Sequence, residues 1–400
     1  MIQADPYMKN EGFNIVFVIM ILYLYLWRFV LKLLLAHTPP LLVQEFAQQN
    51  HELCVAHIPG EWARDAQIRS SIHFECFPYR SKVDPRSIWQ MRRMIQDFGP
   101  DIVHAFTPRS LAAASLAVTA LKNPPYLVSF RGISTPPSHL DPANHITFLS
   151  SRVAAHACES QAVADALIKA GIHRHLCHVV YNCIPDIDHD LIEIGEFRQQ
   201  HKIPHNAFVI GSVANIRPVK GIDILLSAAL NCLDLQDIHV VLIGNVQDST
   251  VERLIKDPRW KGRLHSTGFL PDGGKLACNF DLFVMPSRHE ALCRALLEAM
   301  NTGTCPIVSD AGGMKEMVRH MVEGVVFPTG DIPALSKAIR NLHAHRDLIE
   351  KFGLASRKRV RTLCSPRTMV NRLEKIYSTV TGNNQNILSF PTDRSPRRAA

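Results

Sequence analysis

Two glutamates separated by seven residues, Glu290 and Glu298, lie in the segment Met285 to Val318, MPSRHEALCRALLEAMNTGTCPIVSDAGGMKEMV. The segment begins as the end of a strand, turns through Pro286 and Ser287, and enters a strong helix-forming run, Arg294 to Met300, that Gly303 stops. The first N–H groups of such a helix have no partner within it and carry a partial positive charge, so they suit a diphosphate. Glu290, in the loop ahead of the helix, can accept hydrogen bonds from sugar hydroxyls. Glu298, roughly one turn inside, can accept from the two hydroxyls of a ribose. Taken as an isolated pair, the same residues read as a helix cap and a solvated face.

A second segment, Gly211 to Leu226 (GSVANIRPVKGIDILL), has the order strand, basic loop, helix. Lys220 and Gly221 stand just ahead of the helix, where a lysine can reach a diphosphate, although a lone lysine at a loop end is usually only solvated.

Together the two segments resemble the donor-site motifs of retaining GT-B glycosyltransferases of family 4, the glycosyl transferases group 1. The matching features are the spacing of Glu290 and Glu298, the run Glu298-Ala299-Met300, a small-residue turn, a strand, Gly312-Gly313 before Glu316, and Lys220 in its own motif. The resemblance implies a donor nucleotide diphosphate sugar held by Asn215, Arg217, Lys220, Glu290, Leu292, Cys293, Arg294 and Glu298, with Lys220, Arg217 and Glu290 in the catalytic roles. It also implies retention of anomeric configuration, with the leaving phosphate taking the acceptor proton. Two departures stand out. The family's arginine, five residues before the lysine, is Asn215 here, and Arg217 is the nearest substitute. The glycine-rich loop that follows the family's first strand is replaced by His37-Thr38-Pro39-Pro40. Weaker echoes are Asn50 to Leu53, Pro100 to His104 and Val179 to Ile184. No acidic DxD-like pair stands at a donor loop, so no metal and no cofactor are expected.

His104, at a strand end, and Arg131, where the family often has a histidine, are the candidates for an N-domain cleft. His104 reads at least as well as a structural histidine, and Arg131 would bring charge but cannot act as a base. His139 and His145, in a proline-rich stretch, read as solvated.

The elements that must position these residues are short apolar runs alternating with helical patterns, the signature of parallel strands joined by crossover helices. Leu33 to His37, Leu53 to Ile58, Ile102 to Ala105 and Tyr126 to Phe130 read as strands, with an amphipathic segment at Ile88 to Phe98. Proline, glycine and acidic residues break the pattern between Tyr181 and Pro204, and it restarts with strands at Phe208 to Val213, Val240 to Ile243, Leu282 to Met285 and Cys305 to Val308. The expected fold is α/β and GT-B: two Rossmann-like domains, 32–190 for the acceptor and 191–366 for the donor, facing a central cleft, with an N-terminal hydrophobic helix. A buried stripe of Met369, Val370, Leu373, Ile376 and Tyr377 predicts a helix over 367–382 that completes the first domain, and 383–400 reads as a basic disordered tail.

With 400 residues of 46% hydrophobic composition, two domains are the default. Ten cysteines without a CxxC pair point to a reduced chain without a zinc site, and Cys183 and Cys293 read as small buried hydrophobes. The net charge of +8 is scattered and argues for no nucleic-acid partner. Phe13 to Leu31 is apolar but for Arg28; at about 1.5 Å per residue it would nearly cross a hydrocarbon core of ~30 Å. It reads either as an uncleaved anchor that leaves the body at the cytoplasmic face of the inner membrane or as part of the first domain's fold. The expected partners are a nucleotide-sugar donor and a glycan, lipid-linked saccharide or lipopolysaccharide acceptor. A nucleotide-sugar epimerase and a non-catalytic, membrane-tethered nucleotide-sugar binding protein stand as alternatives.

Overall fold

The computed structural model describes residues 30–49, 51–57, 72–76, 81, 83–119, 121–185 and 196–382. The expected hydrophobic helix therefore lies outside the described residues except for Val30 and Leu31, as do residues 186–195 of the break and the tail from 383. Among the described residues no helix is long and apolar enough to cross a membrane.

The chain forms two compact units, the first ending at Val128 and the second starting at Ser129. The first holds β1 (Lys32–Ala36), α1 (Pro40–Ala47), β2 (Glu52–His57), β3 (His73–Cys76), α2 (Pro85–Phe98), β4 (Ile102–Ala105), α3 (Pro108–Ala117) and the start of β5 (Tyr126–Arg131). Strand β1 is a near-continuous apolar run, as a parallel strand covered on both faces requires: its Leu33, Leu34 and Leu35 are fully buried. Helix α2 starts where the Asp84 side chain accepts the Arg86 N–H, and it ends at Gly99 in the left-handed conformation.

The second unit continues with α4 (Pro142–His145), β6 (Val153–Cys158), α5 (Gln161–Lys169), β7 (Cys177–Val179), α6 (Glu196–Gln200), β8 (Phe208–Val213), α7 (Ile222–Leu230), β9 (Ile238–Ile243), α8 (Ser249–Ile255) and β10 (Leu264–Gly268). It closes with β11 (Leu282–Met285), α9 (Arg294–Thr302), β12 (Cys305–Ser309), α10 (Met314–Met317), β13 (Val325–Phe327), α11 (Ile332–Ala344), α12 (Arg346–Leu363) and α13 (Pro366–Val380).

The strands run in the orders β3-β2-β1-β4-β5-β6-β7 and β10-β9-β8-β11-β12-β13. Both begin with the 3-2-1-4-5-6 sequence of a doubly wound Rossmann sheet. Period-2 alternation splits the second sheet's side chains cleanly between two cores. Ile210, Val240, Leu242, Val284 and Ile307 pack on one face, and Val209, Val241, Ile243, Phe283, Met285 and Val308 on the other, with Leu296, Leu297 and Met300 of α9.

Strands β8 and β11 have the bounds expected from sequence, and α13 buries the expected stripe while packing on β6. The break between Tyr181 and Pro204 needs correction: it contains α6, whose Phe197 is buried against Phe280 and Val209. Five residues are too few for helical periodicity to emerge from the surrounding turn formers.

Candidate functional site

In an open parallel sheet, ligands bind where strand order reverses, beyond the carboxyl ends of the strands. In the second sheet that point lies between β8 and β11, which pair through Leu282 with Ile210 and Phe283 with Gly211. The chain leaves β8 through Asn215 and Arg217, makes a single 3-10 turn, Pro218–Lys220, and enters α7 at Gly221. It leaves β11 through residues 286–293 and enters α9.

The two exits meet in one ion pair. Lys220 Nζ lies 2.6 Å from Glu290 Oε2, with the two side chains 18% and 13% exposed. Ser287 Oγ, at 3.3 Å, also donates to Glu290 Oε2. Burial pulls the Lys220 ammonium down, but Cys293 and the hydrogen-bonded Glu290 more than offset it, so the group sits above its ordinary value and stays charged.

The loop that carries Glu290 is clamped from both sides. The Arg288 N–H donates to Val219 O at 2.8 Å, while the Arg288 guanidinium donates to Pro218 O and to both oxygens of Asp223. Ser309 Oγ donates to Ser287 O at 2.6 Å, and Gly313 N–H to Ala291 O at 3.0 Å. Gly312 holds φ +55° with its α-carbon so close to the Glu290 carbonyl that a Cβ would fall 1.7 Å from that oxygen.

Cys293 is the N-cap residue of α9 and makes no side-chain cap hydrogen bond. Glu290 is committed to Lys220, so the cap reading of this glutamate is set aside. Glu298, one turn into the helix, accepts from Arg294 Nε at 2.8 Å and keeps 23% of its side chain exposed. Leu292 and Cys293 are buried in the core under the helix and offer the site only backbone; burial, reinforced by Glu290, pushes the Cys293 thiol up to about 12. Asn215 and Arg217 are exposed, with Arg217 close enough for its charge to act on Lys220. The geometry thus brings a cation and a carboxylate together beside the start of a helix, which suits a diphosphate joined to a hydroxyl-bearing group, while Glu298 lies one turn further on, paired with Arg294.

Of the two N-domain candidates, His104 follows its structural reading and Arg131 departs from the cleft reading. His104 is fully buried and stacks on Phe106 with centroids 4.1 Å apart; burial lowers its pKa to about 3, so it is a neutral core histidine. Arg131 is no free cation: it is buried, donates to Ile133 O at 3.2 Å and Thr135 O at 2.7 Å, and lies 4.3 Å over the Phe148 ring. A guanidinium has enough donors to satisfy several loop carbonyls, and folding uses it that way. His139 and His145 are exposed as expected, though each imidazole also meets a carbonyl, His139 that of Ala170 and His145 that of His139.

Glu159, at the end of β6, was not singled out from sequence. Its carboxyl is buried, and Asn182 Nδ2 approaches Oε1 at 3.3 Å. Burial pushes its pKa up to about 8; Asn182 and Arg294 oppose the rise, and Glu290 adds to it. A polar residue after four buried positions of β6 was the available signal. The link to Glu290 was not, because it exists only in three dimensions. Glu316, noted only as part of the motif, turns out to accept the N–H groups of Gln161 at 2.9 Å and Ala162 at 3.2 Å at the start of α5.

Residues 41–186 match the family Glycosyltransferase Family 4 and residues 193–359 the family Glycosyl transferases group 1. The chain is 24% identical over 292 residues to a GDP-mannose-dependent alpha-mannosyltransferase of Mycobacterium tuberculosis, covering 68% of this chain and 71% of that protein. It is 26% identical over 145 residues to the O-antigen biosynthesis glycosyltransferase WclY of Escherichia coli, covering 36% of this chain and 40% of that protein. Over the curated relatives it matches, the chain spans about half of their length, from 37% to 71%. Among solved structures, HepE of Anabaena in complex with UDP superposes with a TM-score of 0.69 at 20% identity, over 87% of this chain and 100% of that one.

Proposed function

We propose, of a chain that by its two matched regions belongs to the GT-B glycosyltransferases, that it moves a sugar from a nucleotide diphosphate donor to an acceptor hydroxyl with retention of anomeric configuration. The observation that carries this reading is the 2.6 Å pair of Lys220 and Glu290 at the strand-order reversal, beside the uncapped start of α9. The α9 amides and Lys220, with Arg217 as second cation in place of the arginine that Asn215 replaces, hold the diphosphate. Glu290 takes hydroxyls of the transferred sugar, and Glu298 those of the ribose.

In the reaction the bond from the anomeric carbon to the diphosphate oxygen breaks and a bond from that carbon to the acceptor oxygen forms on the same face. The acceptor proton passes to the departing phosphate oxygen. Charge that develops on the diphosphate is met by donors already in place, which is where catalytic stabilisation is largest. Since these groups neutralise the diphosphate themselves, the transfer needs neither a metal nor a cofactor. Residues 32–190 take the acceptor and 191–366 the donor. The acceptor is a glycan, lipid-linked saccharide or lipopolysaccharide at the cytoplasmic face of the inner membrane, where the apolar stretch Phe13 to Leu31 would hold the enzyme.

The test is a melting-temperature screen against nucleotide sugars, since a ligand that binds the folded state raises the midpoint by mass action. The stabilising donor is then incubated with glycan and lipid-linked acceptors, with and without EDTA, and the products are analysed. A glycosylated acceptor that forms equally with EDTA is expected. A new nucleotide sugar formed without any acceptor would instead mean epimerisation, and no stabilisation by any donor would remove the reading.

A further inference from the structure

The donor loop has a neighbour that the proposed mechanism leaves unused. Glu159 closes β6, its own N–H donates to Arg131 O at 2.9 Å, and the next residue, Ser160, caps α5 by accepting the Val163 N–H at 3.3 Å. From the donor side, Glu316 grips the first amides of α5 and a Cβ on Gly313 would touch Ser160, so this helix start is pressed against the loop that carries Glu290 and Ala291. The Glu159 carboxyl, one residue before this helix cap, is near enough that the charges of Glu290 and Arg294 act on it.

Its surroundings do not satisfy it. A neutral carboxyl group offers an O–H donor and further acceptor capacity, yet among the described residues its one hydrogen-bond partner is Asn182, at a long 3.3 Å. Its second oxygen faces the backbone of Gly132, an exposed residue where a Cβ would stand 2.4 Å from Oε2. A buried carboxyl with spare capacity costs stability unless a ligand completes it.

We propose that Glu159 is a sugar-binding residue of this site: its carboxyl, held by Asn182 and set against the bare backbone of Gly132, hydrogen-bonds a hydroxyl of the transferred sugar next to Glu290. The inference rests on the donor reading above and names a contact within it. Glu159 works in the neutral form, which burial favours at neutral pH. A neutral carboxyl both donates and accepts, and it spares the site a second negative charge beside Glu290 and the incoming diphosphate. Ionisation of Glu159 removes the donor and adds that charge, so sugar binding weakens as the pH rises through about 8.

Calorimetry with UDP and UDP-glucose, and with GDP and GDP-mannose, tests this on the wild-type chain, Glu159→Gln and Glu159→Ala, with melting curves to check folding. The pair of ligands that the wild type binds is used. Glu159→Ala is expected to bind the nucleoside diphosphate as the wild type does and to lose about tenfold toward the nucleotide sugar, the worth of one hydrogen bond near charge. Glu159→Gln is expected to keep sugar binding at pH 7 and, unlike the wild type, to hold it unchanged to pH 9. Equal losses for both ligands in Glu159→Ala, or the same alkaline weakening in Glu159→Gln as in the wild type, overturn the proposal. A wild type that binds none of the four ligands overturns the donor reading itself, and this inference with it.

Discussion

Lys220 and Glu290, seventy positions apart in the chain, form a 2.6 Å ion pair that joins the exits of two adjacent strands. Each charge would be costly in this half-buried place without the other, so the pair holds the two side chains in position. In the proposed reading, the ammonium serves the diphosphate and the carboxylate the sugar.

Removing the ammonium should damage chemistry, beyond any cost of leaving Glu290 without its partner. Lys220→Ala is expected to lower kcat by about a hundredfold or more, the typical worth of one preorganised donor at a developing oxyanion. Lys220→Arg should not restore the rate, because a planar fork does not replace a compact point charge. Initial rates of transfer check both variants, and wild-type turnover by Lys220→Ala would take the lysine out of the mechanism.

A second prediction concerns the backbone that shapes the loop. Gly312 has φ +55° and no room for a Cβ, since the Glu290 carbonyl oxygen would lie 1.7 Å away. Gly312→Ala must push that carbonyl aside, at a cost of about 1–3 kcal/mol of local strain, and the Glu290 side chain moves with it. Weaker donor binding together with a lower melting temperature is expected; an unchanged donor Kd would mean that the loop adapts without moving the carboxylate.

The parts of this site that were legible in the sequence are those encoded locally. Lys220, Glu290 and Glu298 each sit in a contiguous strand-turn-helix segment, so residue order alone places them at loop ends and helix starts. What was not legible depends on distant segments meeting. Arg131 looked like a free cation until Phe148 and the carbonyls of Ile133 and Thr135 closed around it. Glu159 acquires meaning only through Asn182, Gly132 and the donor loop. Strand β3, HFEC, escaped notice because four residues are too few for their alternation to rise above the background.

Acid stability provides a third test. Burial depresses His104 to about 3, and burial with the nearby Arg131 depresses His156 to about 4. Both imidazoles titrate near 6.5 once unfolded. A depressed folded pKa means that the unfolded chain binds more protons below 6.5, so this stability is complete above pH 6.5 and is lost as the pH falls through about 4 and about 3. Glu159 acts with the opposite sign: its contribution is complete below its unfolded value of 4.5 and is lost as the pH rises through about 8. Urea midpoints should fall on the acid side, with the slope reduced in His156→Gln, and Glu159→Gln should reduce the decline between pH 5 and 8. A wild-type acid limb undiminished in His156→Gln would show that this histidine is not the group responsible.

The last prediction concerns the brace between the donor loop and α5. Glu316 accepts two amides from the first turn of that helix, Gln161 at 2.9 Å and Ala162 at 3.2 Å, and also hydrogen-bonds Tyr181. An acidic side chain at a helix N-terminus is favoured both by the free amides and by the helix dipole; here it is supplied by a residue far along the chain rather than by the helix itself. Burial raises the Glu316 pKa, the amide bonds counter it, and the group remains committed to its partners. Glu316→Ala leaves two N–H groups without their acceptor and should cost about 1–3 kcal/mol by urea unfolding. Glu316→Gln, which keeps one acceptor oxygen, should fall between that variant and the wild type. If Glu316→Ala unfolds within about 0.5 kcal/mol of the wild type, the scatter of an ordinary surface change, water satisfies the amides and the carboxylate braces nothing.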